Sequence, residues 1–286
     1  MQLKTTSTYF LLFTFCFVLT SFHKKKINNL IDSKVLVDKL IEASNNIKTL
    51  RYSLKYSERL KGVLKNTNSS VKLQIAPRKI FINNAGAEIL WVQGQNNGNA
   101  LVNPGTFPYV NLNLDPYGTL MRKGGHHTLN ESGFSFLVDI IKSAVKKTGD
   151  KFSKYFIVSG EEKFYGRDCY KLTIKYPEFA WEAYTVKKGE TLVTIARKNC
   201  LSEHMILEKN AKISWYDDVK EGQVIQIPNV YSKLTVLLID KEYMLPVSNN
   251  VYDDLGLYET YEYSDIKINS TITPEEFTKT YKDYHF

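Results

Sequence analysis

Proline is scarce, at 8 in 286 residues, and cysteine is limited to 3. That composition excludes a proline-rich extended chain and a disulfide-stapled scaffold. No apolar run reaches the ~18–20 residues of a membrane span, which excludes a polytopic helical membrane protein. Neither HExxH nor CxxC occurs, so the commonest zinc and redox signatures are missing. Gly124-Gly125 lacks the strand–turn–helix setting of a phosphate loop. Thirty-eight basic residues against 30 acidic ones leave +8. That charge is spread along the chain, so no nucleic-acid footprint stands out, and an anionic envelope surface or polymer fits it equally well. At 43% apolar and 24% charged, the chain has ordinary globular composition, with length for one or two domains. Tyrosine (19) and phenylalanine (15) are plentiful, which points toward β-sheet.

The first residues read as an address. Met1 to Thr8 is polar with one charge, Lys4, and Tyr9 to Leu19 is apolar apart from Thr14. Small residues Thr20 and Ser21 follow. This is the layout of a secretory signal peptide over 1–22, with an uncleaved anchor as the alternative. Phe15 is bulky where a lipoprotein signal needs a small residue before Cys16. Export leaves Cys169 and Cys200, read as two buried free thiols in different domains rather than a disulfide.

Residues 27–46 carry Ile27, Leu30, Ile31, Val35, Leu40 and Ile41 at three- and four-residue spacing, predicting a helix. The period then drops to two: Leu50, Tyr52, Leu54 and Tyr56 alternate with polar residues, and Val71, Leu73 and Ile75 repeat the pattern. Strands are expected at 80–82, 88–93 and 100–102, the last two joined by a turn carrying Asn97-Gly98. Residues 104–125 read as a loop and 131–147 as a helix ending before Gly149. Further strands fall at about 154–165, 169–176, 232–240, 243–252 and 256–269. A short helix at 273–276 has Thr273 and Glu276 as a capping box. The expectation is α+β, with about nine antiparallel strands in a large curved sheet and two principal helices.

Residues 184–230 break the pattern. A short strand ends at Gly189, helix spacing follows in Leu192, Ile195 and Ala196, and Ser202 can cap a second helix carrying Met205, Ile206 and Leu207. Gly222 to Pro228 closes as a strand, giving βααβ. YTVKKGETLVTIA, ILEKNAKI and VKEGQVIQIP together resemble a LysM module over this whole segment. The resemblance implies binding of N-acetylglucosamine glycans, chiefly peptidoglycan. It places the groove between Gly189, Glu190, Thr191 and Leu192 on one side and Asn210, Ala211, Lys212 and Ile213 on the other. Gly189 also suits a turn, Thr191 a helix N-cap and Asn210 a helix C-cap.

With 182–231 removed, strand 169–176 runs on into 232–240, so the LysM domain reads as inserted at a hairpin tip, a tolerated place. The host domain, 27–181 and 232–286, carries LKYSERLKG, VKLQIAPRKIFI, LWVQGQNNGNALVNP, LNLDPYGTLM, HHTLNESGFSFL and YETYEYSDIKINSTITPEEF. These resemble an uncharacterised periplasmic branch of the outer-membrane lipoprotein carrier and receptor superfamily (LolA/LolB-like). The resemblance implies a half-open antiparallel barrel with helices plugging a face that holds acyl chains. A sheet with an apolar inner face must be covered, and a removable cover leaves a pocket. Leu50, Tyr52, Leu54, Val71, Leu73, Ile75, Leu90, Val92 and Val236 are the expected lining, with a solid core as the alternative.

No catalytic residue, metal ligand or cofactor is assigned. His126 and His127 are neighbours that point apart on an extended segment, and His204 reads as a surface residue. Cys169 lies in an alternating strand without an evident histidine partner and reads as a buried structural thiol. The sequence therefore describes a non-enzymatic protein of the periplasm or cell envelope. Its expected partners are peptidoglycan and a lipid or lipoprotein, with no nucleic acid. A cell-wall hydrolase targeted by the module, or a scaffold without lipid, are the other readings.

Overall fold

A computed structural model describes residues 30–286 apart from Pro108. The expected leader and the first turn of the predicted 27–46 helix lie outside those residues. Among the described residues, no helix is long and apolar enough to cross a membrane.

The chain opens with α1 (Ser33–Asn45), whose first turn is capped by the Asp32 carboxylate accepting from Lys34 and Val35 N–H. Five antiparallel strands follow: β1 (Thr49–Leu60), β2 (Val63–Gln74), β3 (Lys79–Asn84), β4 (Ala87–Val92) and β5 (Ala100–Asn103). Then come β6 (Leu112–Leu114), the single turn α2 (Thr119–Arg122), α3 (Ser135–Thr148) and the single turn α4 (Phe152–Tyr155). A hairpin of β7 (Phe156–Phe164) and β8 (Arg167–Lys175) precedes β9 (Trp181–Thr185), α5 (Leu192–Asn199), α6 (Glu203–Lys209) and β10 (Val224–Pro228). The chain closes with β11 (Leu234–Asp240), β12 (Pro246–Tyr252), β13 (Leu257–Ile268) and a 3-10 turn at Pro274–Phe277.

Eleven strands form one open antiparallel sheet in the order β6-β5-β4-β3-β2-β1-β13-β12-β11-β8-β7. The fold is α+β, a half-barrel with helices on its inner face. Strand β8 pairs with β11 although β9 to β10 lie between them in sequence, and β9 and β10 pair only with each other. This leaves a separate βααβ unit around Leu192, Ile195, Ala196, Leu201, Ile206 and Ile225.

Two observations differ from the sequence reading. β1 and β2 each run 12 residues and meet at a turn where Lys61 and Gly62 have positive φ. The polar run Lys65 to Ser70 hides β2, because the distal half of this hairpin is exposed. β6 appears inside the expected 104–125 loop, as three residues on the sheet edge. The Asn97-Gly98 turn does join β4 to β5, with Asn96, Asn97 and Gly98 all at positive φ.

The core lies where α1 and α3 meet the inner face. Leu36, Val37 and Leu40 of α1 and Val138 and Ile141 of α3 pack on Phe156, Leu172, Leu237 and Ile239. Each such side chain contributes about 1.5–3 kcal/mol by leaving water. On the outer face Phe81, Leu90 and Val92 are covered by the C-terminal segment, with Tyr284 stacked on Phe81 at 3.7 Å between ring centres. Glu276 anchors that segment to Arg51 and Lys72, and the bond from Arg51 draws its carboxyl down to about 2.

Candidate functional site

The sheet's inner face and the helices above it enclose a cavity of about 450 Å³, within the range that takes a small amphiphilic ligand. Strands β1 to β5 supply Tyr52, Leu54, Val71, Ile82, Ile89 and Val102. Helix α3 supplies Phe136, Leu137, Ile140, Ile141 and Ala144, and the 120–129 segment supplies Leu120, Met121 and Leu129.

Of the nine expected lining residues, the structure places Tyr52, Leu54 and Val71 on this cavity. Leu50 and Leu73 belong to the same face but are closed into solid core with Ile80, Phe134 and Leu245, and half-buried Ile75 packs beside them. Leu90 and Val92 are corrected outright: they face outward against Phe277, and Ile89 faces the cavity. EILWV is apolar on both faces, so period-two reading could not choose a side. Val236 also points outward, because Thr235 lines the cavity and Leu237 lies under the helices.

One end of the cavity is polar, and here sequence reasoning missed most. His126 and His127 do not diverge; both reach Glu259 on β13. His126 Nδ1 lies 2.9 Å from Glu259 Oε2 and its Nε2 lies 2.9 Å from the Arg59 carbonyl. A carbonyl and a carboxylate only accept, so both ring nitrogens donate and His126 is an imidazolium. His127 bridges two carboxylates, 2.5 Å from Glu131 and 3.3 Å from Glu259. Burial alone would lower both histidines. The bonds and charges of Glu259, with Glu58 for His126 and Glu131 for His127, outweigh it and hold both above the ordinary value. Burial would raise Glu259, but the two imidazoliums keep it far below the usual carboxylate range.

His204 is not a surface residue. It is buried, stacked on His126 at 4.3 Å and 3.3 Å from the Tyr258 hydroxyl. Burial, aided by the charge of His126, lowers it to about 3, so it is neutral. Glu203, its neighbour, accepts from Arg122 and Arg197, each at 2.8 Å. Arg197 also pairs with Glu131, and the Tyr216 ring lies 3.6 Å from the Arg122 guanidinium. The βααβ unit therefore meets the large sheet through buried charge pairs and hydrogen bonds, beside the cavity. Only the odd density of ionisable residues at 122–131 could have signalled this. Long-range pairing such as His126 with Glu259 leaves no local period.

Glu58, His126 and Glu259 bring three potential ligand atoms within 4.8 Å of one another. Each is already engaged: Glu58 accepts from His126 N–H at 2.8 Å and the Tyr261 hydroxyl at 2.5 Å, and both His126 nitrogens are used. A cation would have to displace these bonds, so the trio fits a charge-paired core better than a metal centre. Cys169 is buried and free, and burial pushes its thiol up to about 11. Cys200 is also free and reaches the cavity wall.

In the βααβ unit, Thr191 caps α5 through a reciprocal pair with Thr194. The Glu190 carboxylate accepts from the Tyr184 hydroxyl and Lys187 N–H. Leu192 and Ile213 are buried in the unit's core, so their side chains cannot cover a sugar face and only their backbone is available. Asn210 is committed to the fold: its amide donates to Ile206 and Gln226 carbonyls and accepts Gln226 N–H. Gly189, Ala211 and Lys212 are exposed. A cleft of about 510 Å³ beside Ala211 and Ile213 is walled on its far side by Arg59, Lys61 and Leu255.

Two family models match stretches of the chain. A LysM domain model matches residues 184–228, and no curated protein sequence matches the chain. Among solved structures, a MucA/MucB complex from Pseudomonas aeruginosa is similar at 9% identity and a TM-score of 0.42, over 86% of this chain and 60% of that one. The Mycobacterium tuberculosis lipoprotein LppX gives 12% identity and 0.41 over 84% and 97%. A LolA superfamily protein from Nitrosomonas europaea gives 12% and 0.33 over 88% and 99%. The chain thus spans less than two thirds of the MucB structures it resembles. A second family model, described as a protein of unknown function (DUF1571), matches residues 47–194, just over half of the chain, and the chain belongs to that family.

Proposed function

We propose that this is a non-enzymatic protein of the cell envelope, exported by its N-terminal segment, that carries two binding sites. The first is the half-barrel cavity, which takes a lipid or a lipoprotein acyl chain. The second is the LysM domain, inserted at 182–231, which takes peptidoglycan through its N-acetylglucosamine units. The observation that carries the proposal is the apolar cavity of about 450 Å³ under α3. Close packing would have closed such a space were it only core. For the module the support is the LysM match together with the exposed backbone at Gly189 and 211–212.

Sedimentation with purified sacculi tests the glycan half. The full chain is expected to pellet with sacculi and to be released by N-acetylglucosamine oligomers. Ala211→Glu, a change at an exposed position, sets a charged side chain over the groove and is expected to weaken pelleting about tenfold, the equivalent of ~1.4 kcal/mol. A single module binds weakly, so the assay is run at high sacculus concentration. Equal pelleting of wild type and variant removes the groove from the account. Release of soluble muropeptides would replace it with a hydrolase.

A further inference from the structure

One short element lies between the half-barrel cavity and the LysM module. Helix α2 roofs the cavity: Leu120 and Met121 line it, and Leu120 is 70% exposed. Among the described residues, the side chains of α2 make one hydrogen bond, from Arg122 to Glu203 of the module at 2.8 Å. Arg122 is buried, and its guanidinium also lies 3.6 Å from the ring of Tyr216, a residue of the module's core. Toward the sheet α2 rests on apolar contact through half-buried Met121.

Gly124 and Gly125 follow. Beyond them the chain is fixed to the sheet: His126 N–H donates to Glu58, and its ring donates to Glu259 and to the Arg59 carbonyl. Gly124 has open space where a side chain would project, and glycine absorbs large changes of φ and ψ. The junction above is not closed like a core. Arg122 Nε and Arg197 Nη1 are buried there without a hydrogen-bond partner. Opening returns both to water, which lowers its cost.

We propose that α2 is a flap hinged at Gly124-Gly125 and that the LysM module is the latch holding it over the cavity, with Arg122 as the catch. The latch reaches the glycan side as well, because Tyr216 C=O accepts from Leu192 N–H at 2.8 Å. This rests on the reading of the cavity as a lipid site and names what regulates its exchange.

The test uses the full chain, stripped of endogenous lipid and loaded with a pyrene-labelled fatty acid. Release to phosphatidylcholine vesicles is followed by stopped-flow fluorescence. Arg122→Met keeps the stem and removes the catch, while Glu203 keeps Arg197 as its partner. It is expected to speed release about tenfold, the worth of one hydrogen bond to a charged group. Arg197→Met cuts the module's tie to Glu131, which lies beyond the hinge, and is expected to leave release unchanged. Equal release from all three proteins overturns the proposal. So does equal acceleration by both variants, which would make the effect a general loosening of the junction. Hydrogen exchange on the wild type reads the same hinge without a substitution. The amides of 121–123 are expected to exchange at least about tenfold faster than those of 131–132, and equal protection of the two stretches removes the flap. Uptake of no probe by the wild type overturns the lipid reading itself.

Discussion

Glu259→Gln is expected to lower the unfolding free energy at pH 7 by about 3–5 kcal/mol, the usual cost of removing one partner from a buried charge cluster. Glu259 is 2% exposed and takes bonds from His126, His127 and Tyr231. Glutamine keeps the shape and removes the charge that holds the two imidazoliums. Urea denaturation measures the loss. The pH dependence separates this electrostatic account from a packing defect. His126 and His127 have raised pKa values in the fold, so their contribution is complete below about 6.5 and is lost as pH rises through the raised values. Glu259 and Glu131 are lowered, so theirs is present above about 4.3 and is lost as pH falls. His204, lowered to about 3, removes stability as pH drops from about 6.5 toward 3. Wild-type stability therefore peaks near neutrality. In Glu259→Gln the alkaline limb moves down toward pH 6.5, and an alkaline limb that stays in place would show that Glu259 does not hold the histidine protons.

Filling the cavity is expected to abolish uptake of an apolar ligand. Ser69 on β2 and Ser143 on α3 both line it, and both are half-buried and small. Ser69→Trp with Ser143→Phe places two aromatic rings in space now empty, from the sheet and from the helix. Overpacking a closed core costs about 1–3 kcal/mol. Here the rings enter an existing void, so the urea midpoint is expected to stay within that range while lipid stoichiometry falls from about one toward zero. A variant that loads lipid as well as wild type would place the ligand elsewhere.

Much of this architecture was legible in the residues. The alternation Leu50-Tyr52-Leu54 named the inner face of β1, where Tyr52 and Leu54 line the cavity and Leu50 closes into core, and the capping residues Thr191, Ser202 and Thr273 each start the helix or turn expected of them. The βααβ unit was legible because its signals are local: a turn glycine, two caps and two short alternating strands. The polar end of the cavity was not, because it is assembled from residues 58, 126–131, 203–204 and 259. These segments carry no shared period. Residue faces failed where a strand is apolar on both sides, as at Leu90 and Val92. Asn210 was read as both cap and ligand contact, and the structure shows its amide fully used by β10 and α6.

The most direct test of the central claim is a native mass spectrum of the full chain purified from the envelope without detergent. A bound mass that extracts as lipid, and that is missing from Ser69→Trp/Ser143→Phe, is the predicted result. A clean unliganded mass that takes up none of the offered monoglyceride, fatty alcohol or fatty acid would contradict the account and leave the half-barrel a scaffold for the LysM domain.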